Sequence, residues 1–365
     1  MSNTGFRAIA SRDPGTIASN GVCGIYDTGC VVSLNDAGTI DGQLAVNAIA
    51  ADNVQFIVVT QFGTSRRVAM MVAAGADITN ASVGTFLANS TSPTSHVIGH
   101  SGKYAEFLSA RASAINTPLA TGSGVSIGRA MAGPIQHHLG HFIVDVANPT
   151  NTFAYGSTAS VIGRMNAGTV DRRYPFSAFT GTGFTLGGGS TTGSQNFCAL
   201  VVDGTFGVTL GSGTSDTTLD VDIGTDLAFA ALWSHMLAES TVGTMQDGAG
   251  GSMGFATDQG AKEICMAYTD LDNSGTATTT STAVDYNSSY ININPSTAAV
   301  QGEGGWGISG DPGPGHINFI MDDADPAASL LMYAIFTDSG VEPPSGSSSS
   351  GLTRSWLNRN LARGY

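Results

Sequence analysis

The sequence predicts a mainly β protein built of two or three sandwich-like or jelly-roll-like domains. Three observations predict it. Glycine, at 49 of 365 residues, is about twice its usual share, and Ser and Thr are abundant, which suits many turns between short strands. Runs rich in β-branched and aromatic residues recur along the chain, each closed by Gly, Asn, Asp or Pro. Charged residues make up only 12%, about half the usual share, while hydrophobic residues at 41% are enough for sizeable cores and exclude global disorder.

The elements follow in order. Val54–Gln61 is a strand, Phe62-Gly63-Thr64-Ser65 a turn, and Arg66–Ala73 a second strand completing a hairpin. Lys103–Ala114 is the one predicted helix. Tyr104, Phe107, Leu108 and Arg111 recur at helical spacing, Ser101-Gly102 opens it, and Asn116-Thr117-Pro118 ends it, because the position before proline disfavours α geometry. His141–Val146 is a strand stopped by Asn148-Pro149. Phe197–Asp203, Leu227–Trp233, Ile264–Tyr268, Tyr290–Ile293, Ile317–Met321 and Leu330–Thr337 complete the series, at the spacing of a sandwich or barrel.

A short internal echo accompanies these strands. Gly183-Phe184-Thr185-Leu186 precedes the apolar run Phe197–Val202, and Gly305-Trp306-Gly307-Ile308 precedes Leu330–Phe336, so each unit would end a β-domain, near residues 205 and 340. The predicted organisation is a β-rich region 1–100, either a domain of its own or part of the first, a β-rich domain 101–205, a second sandwich 206–340, a linker 341–351 and a tail 352–365. The linker is stiff at Pro343-Pro344 and flexible through the serines that follow. The tail carries Arg354, Arg359 and Arg363 and no acid, on an otherwise acidic chain. With Trp356, Leu357 and Leu361 near helical spacing, it reads as a peptide that docks on an acidic neighbour.

Charge and cysteine usage narrow the functions. A net charge of −14 and a pI of about 4.6 argue against non-specific binding of a phosphate backbone, which needs clustered Lys and Arg. Cys23, Cys30, Cys198 and Cys265 are too few for a disulfide scaffold and read as buried thiols, although Cys23 and Cys30 could face each other across a hairpin. The N-terminus lacks the basic and apolar regions of a signal peptide, and no run of about 18 apolar residues exists to span a membrane. The expectation is synthesis in the cytoplasm without membrane insertion, with lysis as one route of exit.

No constellation fixes an active site. Asp270-Leu271-Asp272-Asn273-Ser274-Gly275 matches the first half of a calcium loop, making Asp270, Asp272 and Ser274 candidate ligands, but position twelve is Ser281 rather than a bidentate Glu. His137-His138-Leu139-Gly140-His141 would place two imidazoles on one face of a helix, yet Pro134 and Gly140 argue against a helix there. Asp216, Asp220, Asp222 and Asp226, like Asp322, Asp323 and Asp325, read as solvated strand or loop acids, although a carboxylate pair is also how glycosidases work. Gly124-Val125-Ser126-Ile127-Gly128 matches the letters of a nucleophile elbow without an α/β framework around it. The sequence predicts no cofactor and no enzyme.

Several pieces together resemble virion proteins of tailed bacteriophages. They are the strand Leu227–Trp233, then Gly254-Phe255-Ala256-Thr257, then Gly305-Trp306-Gly307-Ile308, then the final strand Leu330–Phe336, with Phe184 in an earlier counterpart. The resemblance covers mostly residues 205–340, with a weaker echo over 140–204. It implies a Gly/Ser/Thr-rich β architecture and a structural role in the particle, as head decoration, fibre or tail component, with other copies of the chain and other virion proteins as partners. Two alternatives stay open: a carbohydrate-binding adhesin or receptor-binding module, with Trp233 or Trp306 stacking on a host-surface glycan, and a bacterial surface or filament-forming protein.

Overall fold

The computed structural model describes residues 7–12, 21–35, 37–49, 54–63, 68, 75–89, 92–112, 114–119, 123–144, 151–166, 169–189, 194–223, 227–238, 243, 245–257, 262–270, 281–294, 296–307, 316–326 and 328–337. Among them there is no helix. The N-terminal region forms a hairpin of β1 (Ala8–Arg12) and β2 (Val22–Tyr26), and a three-stranded sheet of β3 (Val31–Leu34), β4 (Ile40–Ile49) and β5 (Val54–Thr60). Next come β6 (Ile78–Ala88), β7 (Thr94–Val97), β8 (Tyr104–Ala110), β9 (Ser123–Met131), β10 (Ile135–Val144), β11 (Asn151–Ser157), β12 (Ile162–Asn166), β13 (Thr169–Tyr174), β14 (Phe176–Thr180), β15 (Gly183–Leu186) and β16 (Gln195–Gly204). The last group is β17 (Gly207–Thr214), β18 (Leu219–Asp222), β19 (Leu227–Ala238), β20 (Met245–Asp247), β21 (Ala249–Thr257), β22 (Lys262–Asp270), β23 (Ser281–Asp285), β24 (Tyr290–Ile293), β25 (Val300–Gly307), β26 (His316–Asp323) and β27 (Ser329–Thr337).

These strands make two sandwiches. In the first, the seven-stranded sheet β20-β11-β10-β9-β8-β16-β6 is faced by β14-β15-β7 and by the pair β12-β13. Its core holds Phe107, Phe184, Phe197, Phe176 and Tyr174, with aromatic edges meeting ring faces at centroid separations such as 5.5 Å for Phe107 and Phe184. In the second, the six-stranded sheet β17-β27-β19-β21-β22-β23 is faced by β18-β26-β25-β24, around Trp306, Phe319, Tyr290, Leu331 and Ile335. β20 lies between two strands of the second sandwich in sequence, yet it pairs with β11 and joins the first sheet. The sheets also draw β6 and β7 into the first sandwich, from residues that the sequence reading placed in 1–100.

The two sandwiches repeat one topology. The large sheets read β6-β16-β8-β9-β10-β11 and β17-β27-β19-β21-β22-β23, and the small sheets β7-β15-β14 and β18-β26-β25. The register repeats as well. A Cβ on Gly128 of β9 would fall 1.8 Å from the Val161 carbonyl oxygen, and one on Gly254 of β21 would fall 1.8 Å from that of Ser289. Two residues earlier, the Ser126 hydroxyl accepts the Gly163 N–H at 3.3 Å and the Ser252 hydroxyl accepts the Ile291 N–H at 3.2 Å. Each small sheet thus approaches its large sheet at a glycine that leaves room for backbone, with a serine latching the same crossing. The echo seen in sequence is shifted by one strand. Strand order equates β15 with β26 and β14 with β25, so Phe184 and Trp306 are not counterparts, while the apolar runs of β16 and β27 do hold equivalent places.

The large sheets stack on each other through their outer faces. Leu139 and Ile127 of the first meet Trp233, Ala231, Leu330 and Met332 of the second, and Tyr104 and Met131 meet Phe336, Leu210 and Ala334. Where the two sheets stack, both faces are covered, which is why β27 is apolar at nearly every position. The same fact corrects the predicted helix at 103–114. Tyr104–Ala110 is β8, with Phe107 facing the inner core and Tyr104 and Leu108 facing outward into covered surroundings. Apolar residues on both faces of a strand imitate helical spacing.

The cysteines are free thiols. β2 pairs with β1 and β3 with β4, so Cys23 and Cys30 do not face each other as the hairpin reading expected. Cys23 instead exchanges backbone hydrogen bonds with Leu119, at 3.1 and 2.8 Å, and packs with Ile25 against Ala110 and Cys198. Burial pushes the thiols of Cys198 and Cys265 up to about 11 and about 12, so both are poor nucleophiles.

Glu263 of β22 points into the second core, only 6% exposed, and its carboxylate accepts the Trp306 N–H at 2.5 Å. Burial raises its pKa from 4.5 to about 8, opposed only in part by polar contact with Ser289 and by the Trp306 N–H. Because the folded pKa lies above the unfolded one, the stability contribution is full below pH 4.5 and is lost as pH rises through about 8. Glu263→Gln is therefore expected to match the parent near pH 4 and to exceed its stability at pH 9, by an amount on the order of 3 kcal/mol. Urea denaturation at both pH values checks this, and an equal difference at the two would refute it.

Candidate assembly interface

The titratable groups singled out in the sequence are mostly locked into structure. Ser126 lies in the middle of β9, 2% exposed, latching Gly163, and its motif is a strand rather than a strand-to-helix elbow. Gly250-Gly251-Ser252-Met253-Gly254 is the same pattern at the equivalent place in the second sandwich, so these letters record repeated packing. The histidine cluster is β10. His137 and His141 face the second sandwich and His138 faces the first core, where its Nδ1 meets the Ser160 hydroxyl at 3.0 Å. His141 bonds to the Tyr268 hydroxyl. Burial lowers His138 and His141 to about 4, so both are neutral imidazoles near pH 7.

A row of polar groups crosses the junction of the sandwiches. Glu106 on β8, Arg129 on β9 and His137 on β10 are directly opposite one another in register. Arg129 is 1% exposed, lies over the Trp233 ring, and stands 3.7 Å from Glu106, an ion pair too long for a hydrogen bond. Burial lowers the Arg129 guanidinium to about 10 and raises the Glu106 carboxyl. The adjoining void, lined by Ile127, Arg129, His137, Leu139, Trp233 and Met332, is about 10 Å³, room for one water and no substrate.

The acids separate by environment. Asp220 and Asp222 are on an exposed face of β18, and Asp220 meets His316 at 2.9 Å across to β26. Asp322 and Asp323 are exposed, but Asp325, read from sequence as a loop acid, is buried and bonded to Tyr290 and Asn292. Asp270 ends β22, and its calcium-loop partners Asp272 and Ser274 lie outside the described residues. Among the described residues no group of three His, Cys, Asp or Glu could hold a metal. Trp233 and Trp306 are 6% and 2% exposed, so neither offers a ring face to a sugar. The tail residues Arg354, Trp356, Leu357, Arg359, Leu361 and Arg363 lie outside the described residues, as does most of the predicted strand Arg66–Ala73.

The surface that stands out is the arm formed by the outer parts of β4 and β5. Its root is anchored by Ile40, Val32 and Leu34 packed against Tyr26, Val22 and Ala10. Beyond the root the strands run out over solvent. Phe56 and Val58 are 39% and 56% exposed on one face of β5, Ile57 and Val59 are 50% and 54% exposed on the other, and Ile49 near the end of β4 is 61% exposed. Fully burying such a side chain is worth about 1.5–3 kcal/mol, so covering these five half-exposed groups offers roughly 5 kcal/mol per arm before the cost of association. From Asn53 to Ser65 the sequence has no charged residue and no proline, the usual devices that blunt an edge strand. The sequence reading identified the strand but not its exposure, since an apolar run without alternation ordinarily signals burial on both faces.

Fold and surface together define a tandem β-sandwich protein with an apolar β arm. No family model, curated protein or solved structure matches the chain.

Proposed function

We propose that this chain is a non-enzymatic structural protein of a tailed-phage virion, in the head as decoration or fibre or in the tail, that works by assembling with other copies and with other virion proteins. The observation that carries the assembly part is the arm, whose uncharged, proline-free strand β5 leaves apolar side chains in water on both faces. The phage part rests on the resemblance of the Gly-rich strand segments over 205–340. The fold suits an architectural role, because its sheets stack face to face, and the buried Arg129 and His137 adjoin a void of only about 10 Å³. Under this proposal the tail, with Arg354, Trp356, Leu357, Arg359, Leu361 and Arg363, straps onto an acidic neighbour. Sedimentation velocity of the full chain, with negative-stain imaging, is expected to show a defined oligomer, ring or tube that weakens when the chain ends at Gly340. A monomer at every concentration would remove self-assembly as the role.

A further inference from the structure

We infer that the void at the junction of the two sandwiches is a site for one monatomic anion, a halide such as chloride, held by Arg129, His137 and Trp233. This goes beyond the assembly reading and does not depend on it. The space is about 10 Å³, the scale of a single water-sized particle, and Ile127, Leu139 and Met332 complete its wall. Arg129 and His137 belong to β9 and β10 of the first sandwich, and Trp233 belongs to β19 of the second. An ion there is gripped from both sides of the junction.

The polar atoms of the wall select the kind of occupant. Arg129, His137 and Trp233 are 1%, 4% and 6% exposed. Nε and Nη2 of Arg129, Nε2 of His137 and Nε1 of Trp233 are buried without a hydrogen-bond partner among the described residues. The nitrogens of Arg129 and Trp233 only donate, and a neutral imidazole donates from Nε2 in one of its tautomers. Ile127 and Leu139 are apolar, and Met332 offers a thioether, a weak acceptor. A water would accept from these donors but find no good acceptor for its own hydrogens. An anion accepts from all of them and has nothing to donate.

Charge points the same way. Glu106 stands 3.7 Å from Arg129 without a hydrogen bond and keeps 22% exposure, so the guanidinium is only partly compensated. Its Nη1 meets the Ala231 carbonyl at a long 3.5 Å. Burial first, then the charge of Arg129, holds the His137 imidazole well below its usual range, and the second cause reports a positive potential at the wall of the void.

The test uses the full-length chain. Crystals grown from sodium bromide, with data collected at the bromine absorption edge, should show an anomalous peak in the void, in contact with Arg129, His137 and Trp233. In solution, replacing gluconate by chloride or bromide at equal ionic strength, on the order of 0.5 M, should raise the melting temperature by at least about 2 °C. Arg129→Met/Glu106→Leu removes the cation together with its acid and should lose this halide-specific rise while keeping any general salt effect. Glu106→Gln removes the like charge beside the site and should lower the bromide concentration for half the effect several-fold. A void without an anomalous peak would overturn the inference and assign the space to water. An equal halide-specific rise in the double variant would overturn it as well, and so would a halide response in Glu106→Gln no stronger than the parent's.

Discussion

Asp325→Ala is expected to cost the second sandwich about 3–5 kcal/mol, the range for stranding buried partners of a charged group. The carboxylate is 7% exposed and sits at one end of the core, where four parts of the chain meet. It accepts the Tyr290 hydroxyl at 2.6 Å and the Asn292 amide at 2.7 Å, both from β24. It also accepts the Ser215 hydroxyl from the turn after β17 and, at 3.3 Å, the Ser329 N–H that opens β27. Ser215 in turn accepts the same N–H at 2.7 Å, which closes a small network. Removing the carboxylate leaves these donors buried without water, and it frees the turn that holds Ala328 at a φ of 47°, a conformation that side chains rarely adopt. Asp325→Asn keeps one acceptor oxygen and should lose less. Urea denaturation followed by Trp306 fluorescence measures both, and a loss below about 1 kcal/mol for Asp325→Ala would show that the network is not a keystone.

How much of this was legible depends on what each residue's neighbours supply. Strands with strong runs were placed closely: Tyr290–Ile293 is β24 residue for residue, and Val54–Gln61 extends β5 by one. A run of apolar residues, however, records burial without saying what provides it. Leu330–Phe336 and Val54–Thr60 look alike in sequence, yet the first lies between a small sheet and another large sheet while the second stands in solvent. Tyr104–Ala110 failed for the same reason, its two covered faces producing helix-like spacing. Asp325 was misread because nothing local marks the distant Tyr290, Asn292 and Ser215 that draw it inward. The repeated Ser-x-Gly of Ser126-Ile127-Gly128 and Ser252-Met253-Gly254 was legible in principle, since the two segments share five-residue spacing, but only the crossings at Val161 and Ser289 explain it.

The stacking of large sheet on large sheet also frames what the arm is for. The exposed apolar residues outside the arm, among them Leu87, Val97, Ile135 and Val300, are scattered over different strands, whereas β4 and β5 carry five of them side by side. Under the assembly proposal, association belongs to the arm and stability to the body, so substitutions on the arm should alter assembly without altering the melting of the body.

The junction between the sandwiches supplies the other large effect. Arg129→Met is expected to destabilise the protein by about 2–3 kcal/mol, because the partly buried Glu106, 22% exposed, loses its counter-ion and Trp233 loses the guanidinium that covers its ring. Glu106→Leu alone should also cost several kcal/mol by isolating Arg129, whose Nε and one terminal nitrogen already lack hydrogen-bond partners among the described residues. The double variant Arg129→Met/Glu106→Leu removes both charges and keeps similar volumes in an apolar junction with Ile127, Leu139 and Met332. It is expected to recover most of either single loss, and even to exceed the parent, since a buried pair that makes no hydrogen bond repays little of its desolvation. His137 reports on the same change. Burial first and the Arg129 charge second hold its imidazole well below the usual range, so removing Arg129 should raise its pKa, readable by proton NMR. Strictly additive losses in the double variant would mean that Glu106 and Arg129 act independently and that apolar packing alone holds the two sandwiches together.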